Sequence, residues 1–365
     1  MSARRVVLTG PLPPPVTGAA LVTERMRDTL AGALAGTAGR LVVVDSNSNA
    51  SAPARVLRLL TGLLRLALLV ALRRRPAVYV GGAGGELLWF QALVVAIGVR
   101  GGGPVLFHHH SYQPIVEPSA PMRAITRWGG ARLTHVVLGG DMGRRLTERY
   151  PAATHVVACS NAGHMPLADD APPAPGAPGV VVLAHHGNLS VSKGLDRVLD
   201  ALDACRAAGL DAVLHLGGPA DEQSTALIEA ATARHGERVR WRGPLAPAEV
   251  ADFLAAADVF LFPTRYPMEA EPLVVLEAVR AGLPVVASAR GCIPGLVDAP
   301  GSVVEEGPDA DGAVRSAIVD LVGHVASLDD ARRAALRGEV KAGFDRRQHD
   351  AARTWADLAS RLTGR

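Results

Sequence analysis

FLFPTRYPMEAEPLVVLEAVRAGLPVVAS, running from Phe260 to Ser288, is the stretch on which the fold turns. It opens with a short continuous apolar run and passes into a polar loop containing prolines. A helix-period segment follows, then a tight stop and a second apolar run. Apolar runs that are continuous rather than alternating mark strands buried on both faces of a sheet. Pro272 suits the first position of the intervening helix, and Gly282 suits the residue just past its end. Pro284 bars further helix. Strand, loop, helix, strand is the repeating unit of a parallel sheet. The loop carries Glu269 and Glu271 to the carboxyl end of the first strand, and Glu277 falls about one and a half turns inside the helix.

The same unit recurs in both directions. Val180–Ala184, Val213–Leu216, Val239–Arg242, Val259–Phe262 and Val285–Ala287 read as strands. Leu195–Ala207, Thr225–His235, Ala248–Ala256 and Pro272–Ala281 read as helices between them. An earlier series repeats the pattern: strands at Val6–Thr9, Leu41–Val44, Val78–Val80, Val105–Phe107 and Val136–Leu138, with helices such as Ala19–Leu34 and Leu87–Ile97. Between the series lies PLADDAPPAPGAPG, Pro166 to Gly179, whose prolines and glycines continue neither a helix nor a central strand. The fold class is therefore α/β, with two Rossmann-like parallel-sheet domains expected to face each other across a cleft. The expected division is 1–168, 177–345 and a C-terminal helix over 346–365. Ligands of open α/β sheets sit outside the carboxyl ends of the strands.

Composition agrees. A length of 365 residues suits about two domains. With 39 glycines and 26 prolines the chain stays below the ~25–30% that marks low-complexity sequence. A net charge of +3 gives no basic field for nucleic acid. Cys159, Cys205 and Cys292 are far apart and form no C-x-x-C pair, so neither a disulfide framework nor a cysteine zinc site is expected, and a reducing, cytoplasmic setting fits. The apolar run after Met1 is too brief for a signal peptide and reads as the first strand.

The chemistry concentrates near the acidic segment. A helix N-terminus offers unpaired N–H groups to a phosphate. Carboxylates beside it accept from vicinal sugar hydroxyls. Acidic residues early in a helix also complement the macrodipole without any ligand, and that reading suffices for Glu271. Glu269, out in the loop, gains less from the dipole. Lys193, one of two lysines in an arginine-rich chain, precedes Gly194 at a helix start, where a compact ammonium fits beside a phosphate. Gly18 opens the first helix and permits close backbone approach. Gly82-x-Gly84-x-x-Leu87 lacks the third glycine of a dinucleotide fingerprint, which disfavours a nicotinamide dehydrogenase. Asp309-Ala310-Asp311 has the D-x-D form but reads as a surface loop, so no metal site is expected. His108, His109 and His110 follow a strand; alternation puts 108 and 110 on one side and 109 on the other, which does not suit one metal ion. His185 and His186, at another strand end, read as packing residues.

Glu269-A-E-P-L-V-V-L-Glu277 followed by A-x-x-x-G-L-P-V-V-A-S resembles the E-x7-E segment of glycosyltransferase family 4, whose members are retaining enzymes of GT-B fold. Val182-LAHHGNLSVSKGLDRVLDA resembles the family's G-R-L-x-x-x-K-G unit, Cys159-S-N-A-Gly163 its asparagine motif, and the C-terminal FDRRQHDAARTWADLASRL its last helix, which packs back on the N-terminal domain. The first domain matches more loosely. The resemblance implies an acceptor-side N-terminal domain and a metal-independent transfer from a nucleotide-diphosphate sugar, with uridine the expected base, to a hydroxyl of a small natural product or saccharide. It requires no cofactor beyond the donor. It assigns Glu277 to the ribose, Glu269 and His110 (with His109 as register alternative) to the transferred sugar, and Lys193 to the diphosphate. Gly18, Gly187, Asn188, Ala270, Glu271, Pro272 and Leu273 line the donor. Asn188 stands where the family has an arginine, and Arg265 is the expected substitute at the diphosphate. Two further readings are an epimerase or phosphorylase on the same fold, and a membrane-docked binding factor without chemistry. The last draws on Ala54–Arg75, whose apolar run is interrupted by Arg55, Arg58 and Arg65 and ends in three arginines. Its uninterrupted part is too short to span a bilayer. A domain helix is the plain reading; peripheral contact with the inner membrane face is the sharper one.

Overall fold

The computed structural model describes residues 4–46, 51–82, 84–168 and 179–364. Residues 169–178, most of the expected proline-rich junction, lie outside them. The chain divides into two units, Met1–Met165 with Gln348–Arg365, and Pro166–Arg347.

The first unit runs β1 (Arg5–Gly10), α1 (Gly18–Leu34), β2 (Arg40–Asp45), α2 (Ala52–Ala71), β3 (Ala77–Gly82), α3 (Leu88–Arg100), β4 (Val105–His109), α4 (Gln113–Val116), α5 (Ala120–Gly129), β5 (Leu133–Val137), α6 (Gly140–Arg149) and β6 (Val156–Ala158). Its six strands are parallel, in the order β2-β1-β3-β4-β5-β6. Both faces are covered, which is why the strands read as continuous apolar runs. On one face Leu8, Tyr79, Leu106 and Val136 pack with Met26 and Leu30 of α1. On the other, Gly98 of α3 approaches Val78 so closely that a Cβ there would sit 3.0 Å from its Cγ2.

The second unit runs β7 (Val181–His186), α7 (Leu195–Ala207), β8 (Ala212–Gly217), α8 (Glu222–His235), β9 (Val239–Trp241), α9 (Pro247–Ala255), β10 (Val259–Phe262), α10 (Leu273–Arg280), β11 (Val285–Ser288), β12 (Ser302–Val304), α11 (Ala310–Ala326) and α12 (Asp330–Thr363). Read from its other edge, the parallel sheet is β9-β8-β7-β10-β11-β12. That order reverses direction between β7 and β10, the switch point at which such sheets leave a crevice for ligands. Val198 and Leu202 of α7 pack with Leu183, Leu214 and Leu261 of the strands and Ile318 of α11.

Two boundaries differ from expectation. The last helix does not start near residue 346 but at Asp330, and its final turns belong to the first unit, where Trp355 Nε1 donates to Ser160 O at 3.1 Å. Gly163 of the asparagine motif makes room for it: a Cβ there would lie 2.5 Å from Trp355 Cδ1. Asp309-Ala310-Asp311 is not a surface loop but the start of α11, with Asp309 at the N-cap. Among the described residues, no helix is long and apolar enough to cross a membrane.

Candidate active site

The loops that leave β7 and β10 carry the expected site residues of the second unit. After β7 the chain makes a single helical turn over Val191–Lys193, with the Ser190 hydroxyl accepting from the Lys193 N–H at 3.3 Å. Gly194 then takes a left-handed conformation (φ +86°) that a side chain rarely adopts, and α7 begins. The loop after β10 is tied to this turn: Arg265 N donates to Ser192 O at 2.9 Å and Thr264 Oγ1 to the same oxygen at 3.4 Å. The two loops bring Lys193 and Glu269 together. Lys193 Nζ donates to Glu269 Oε2 at 2.6 Å, with the side chains 25% and 11% exposed. Nζ also sits 4.4 Å from the Tyr266 ring centroid, and Thr264 Oγ1 lies 3.4 Å from the same carboxylate oxygen.

A third loop fixes the backbone of the acidic segment. Cys292 N donates to Ala270 O at 2.7 Å, and Gly291 is pressed against the same stretch; a Cβ there would fall 2.2 Å from Glu269 O. Glu269 thus lies on a peptide braced from the loop after β11.

The helix that follows starts one residue later than expected. Pro272 is its N-cap, with an extended backbone (ψ 123°), and Leu273 is its first residue. Glu271 is therefore not a first-turn acid complementing the dipole. It precedes the helix and is 6% exposed. Glu277, the fifth helical residue, places Oε2 3.6 Å from His186 Nε2 at the end of β7. His186 Nδ1 in turn lies 3.3 Å from Gly217 O, so this histidine bridges a strand end and the acidic helix rather than simply packing. His185 is the packing residue. It is buried, with Nδ1 2.8 Å from Leu261 O, and burial lowers its pKa to about 4, which keeps it neutral. Gly187 lies beside Val274 of α10, and Asn188 is exposed. The segments leaving β7 and β10 thus form two pairs, Lys193 with Glu269 and His186 with Glu277.

Arg265 does not stand free for a diphosphate. Its guanidinium is held by Asp196 at 2.5 Å and by Asp311 at 3.1 Å. Behind it lies a network the sequence reading missed. Buried Arg197 of α7 donates to Glu306 at 2.7 Å, to Ser288 Oγ at 3.2 Å and to Pro263 O at 3.3 Å, and also pairs with Asp311. Arg290 Nη2 reaches Glu306 at 3.3 Å. The hydrogen bond from Arg197, foremost, holds the Asp311 carboxyl below its usual range. The one available signal was an arginine two residues into a helix that is otherwise apolar on its buried face. Among the described residues, no three His, Cys, Asp or Glu side chains gather in positions to hold a metal ion.

Gly18 and His110 belong to the first unit. Thr17 caps α1, its hydroxyl accepting from Ala20 N at 3.2 Å, and Gly18 is the first helical residue. His110 follows β4, its ring 4.0 Å from that of His108 and its Nε2 enclosed without a hydrogen-bond partner. Burial, with the nearby His164, lowers its pKa to about 3, so it is neutral near pH 7. The register alternative, His109, is spent elsewhere: its Nε2 lies 3.0 Å from His135 Nδ1 in a buried pair, opposite to the side of His108 and His110.

Residues 180–324 match the family model described as Glycosyl transferases group 1. The matched stretch lies within the second unit, Pro166–Arg347. Among curated relatives, the GDP-mannose-dependent monoacylated alpha-(1-6)-phosphatidylinositol monomannoside mannosyltransferase of Corynebacterium glutamicum is 30% identical over 187 residues, covering 50% of this chain and 46% of that protein. The D-inositol 3-phosphate glycosyltransferase 1 of Catenulispora acidiphila is 33% identical over 193 residues, covering 50% and 42%. The chain thus spans less than half the length of these relatives. Among solved structures, Anabaena HepE in complex with UDP and glucose superposes with a TM-score of 0.70 over 98% of this chain and 99% of that one, at 16% identity. The lipopolysaccharide outer core galactosyltransferase WaaB gives 0.70 over 97% and 98%, at 14% identity. The fold is of GT-B type, with two parallel α/β units.

Proposed function

We propose that the chain transfers a hexose from a nucleoside-diphosphate donor to a hydroxyl of a polyol or saccharide acceptor, with retention at the anomeric carbon and without a metal ion, on the cytoplasmic side. The observation that carries this reading is the Lys193–Glu269 contact at a sheet switch point, with Glu277 beside His186 at the end of β7. A cation and two carboxylates there match the parts of a sugar nucleotide. Lys193 offsets charge on the diphosphate, Glu269 accepts from the hexose hydroxyls and Glu277 from the ribose diol. Neutral His110 is the proposed further partner of the hexose, because an uncharged imidazole both donates and accepts. Backbone N–H groups at the start of α1, beside Gly18, are proposed for the distal phosphate.

In the step itself, the bond from the anomeric carbon to the phosphate oxygen breaks and a bond to the acceptor oxygen forms on the same face. The acceptor proton passes to the departing phosphate, so no protein nucleophile is needed. GDP-mannose is placed ahead of the uridine sugars expected from sequence. Its support is that relatives named as GDP-mannose-dependent are 30% identical over 187 residues and 35% identical over 135 residues of this chain. Three buried free cysteines accord with a reducing compartment.

The test is to incubate the protein with GDP-mannose and UDP-glucose, with and without inositol or mannoside acceptors. Nucleotide release and the anomeric configuration of the product are read by NMR. Acceptor-dependent release of GDP with an α-linked product is expected. Epimerised donor without acceptor, a sugar phosphate formed from added phosphate, or no donor consumption would each overturn the reading.

A further inference from the structure

The helix α2 carries two opposite apolar stripes, and only one is covered. Leu59, Gly62 and Leu66 face inward, and Gly62 lets the helix lie on β2: a Cβ there would be 2.6 Å from Val44 Cγ1. The outward stripe is Leu57, Leu60, Leu64 and Leu68, spaced as one helical face and between 56% and 70% exposed. Four leucines in a row facing water are uncommon on a soluble surface and mark a contact site. Arg65 runs along one flank of the stripe, one seven-residue step from Arg58, which is paired with Asp45 at 3.2 Å, and Arg73, Arg74 and Arg75 close its end. From Ala52 to Pro76 the chain contains neither Asp nor Glu.

The face continues onto the neighbouring helices. α2 packs along α3, where Val70 lies against Gly101, and α3 packs along α5. From these helices Trp89 and Trp128 stand 52% and 46% exposed. Arginine accompanies them, with Arg127 beside Trp128 and exposed Arg100 ending α3. Leucines flanked by arginine and bordered by tryptophan match the layers of a bilayer surface: acyl chain, anionic headgroup and interfacial belt. A second copy of this chain fits worse, since like-signed arginines would be brought together.

We infer that the α2–α3 face of the first unit docks on an anionic lipid surface, with the leucine stripe entering the acyl boundary and the arginines meeting headgroup phosphates. The inference deepens the proposed function by setting the transfer at a membrane, where an acceptor headed by a polyol or sugar resides. It does not depend on the donor assignment.

The experiment is sedimentation of the full chain with phosphatidylglycerol–phosphatidylcholine vesicles and with phosphatidylcholine alone. The variants are Leu60→Glu/Leu64→Glu and Arg73→Gln/Arg74→Gln/Arg75→Gln. Nucleotide binding by calorimetry reports on folding and on the donor site. The protein is expected to pellet with the anionic vesicles only, and the leucine variant to remain in the supernatant with nucleotide binding unchanged. The arginine variant should bind about a hundredfold more weakly, at roughly a fivefold loss per basic residue. Equal binding to neutral vesicles, or vesicle binding undiminished in both variants, overturns the inference. So does a dimer in analytical ultracentrifugation that Leu60→Glu/Leu64→Glu abolishes without any vesicle binding by the parent. None of these results alters nucleotide release, so failure here is distinguishable from failure of the transferase reading.

Discussion

Replacing Glu269 by glutamine separates two roles that the proposed function gives to one carboxylate. In the ligand-free protein Glu269 neutralises Lys193 at 2.6 Å. On the proposed function, donor binding turns that ammonium to the diphosphate and the carboxylate to the hexose, so the ion pair competes with the substrate. Two unit charges about 4 Å apart interact by about 4 kcal/mol at an effective dielectric constant of ~20. Lys193 is a quarter exposed, and solvent screening reduces the recoverable part to about 1 kcal/mol. Glu269→Gln should therefore bind a nucleoside diphosphate lacking the sugar about fivefold more tightly. Transfer from the intact donor should fall instead. A hydrogen bond to a charged group contributes ~1.5–3 kcal/mol, so kcat/KM should drop about tenfold to a hundredfold. Isothermal calorimetry with GDP and UDP gives the first number and steady-state transfer the second. Weaker binding of the free diphosphate, together with unchanged transfer, would refute the reasoning, because the carboxylate would then serve neither as competitor nor as sugar ligand.

Glu277→Gln should weaken nucleoside diphosphate and intact donor alike, by about tenfold, while leaving kcat nearly unchanged, since a ribose contact is the same in ground and transition states. Competition binding of GDP against its 2′-deoxy analogue reads this, and the variant should lose the preference for the ribose. Acid should unfold the first unit before the second. His110, His135 and His164 have pKa values lowered to about 3, 4 and 3, chiefly by burial. As pH falls below the unfolded value near 6.5, the unfolded chain takes up protons that these histidines refuse. Stability thus falls by ~1.4 kcal/mol per pH unit for each, down to its folded value. In the second unit burial lowers His185 to about 4 and also lowers the less buried His215 and His235. Hydrogen exchange at pH 7 and pH 5 should show protection lost sooner in β3–β5 than in β7–β11, and equal losses would contradict it.

The core of both sheets was legible because buried parallel strands leave continuous apolar runs, and each of the ten runs from Val6 to Ala287 coincides with a strand. The two missed strands, β6 and β12, are three-residue edge strands, half-buried at most, with no apolar run long enough to register. The long α12 was cut short at its start because its first turns are mostly polar and supply no stripe. Lys193 and Glu269, which the fold brings into contact, were legible as chemistry at strand ends. The partners of Arg265 were not. Asp196 and Asp311 are 69 and 46 residues away from it and meet it only through the packing of α7 against α11. His186 was underread for the same reason: its contact with Glu277 crosses from a strand end to a helix that lies 91 residues along.

The most direct test is a structure of the protein with a slowly reacting 2-fluoro nucleoside-diphosphate hexose. The account predicts Lys193 Nζ within about 3 Å of a diphosphate oxygen, with Glu269 on the hexose hydroxyls and Glu277 on the ribose diol. A donor bound elsewhere, with Lys193 still closed on Glu269, would contradict it.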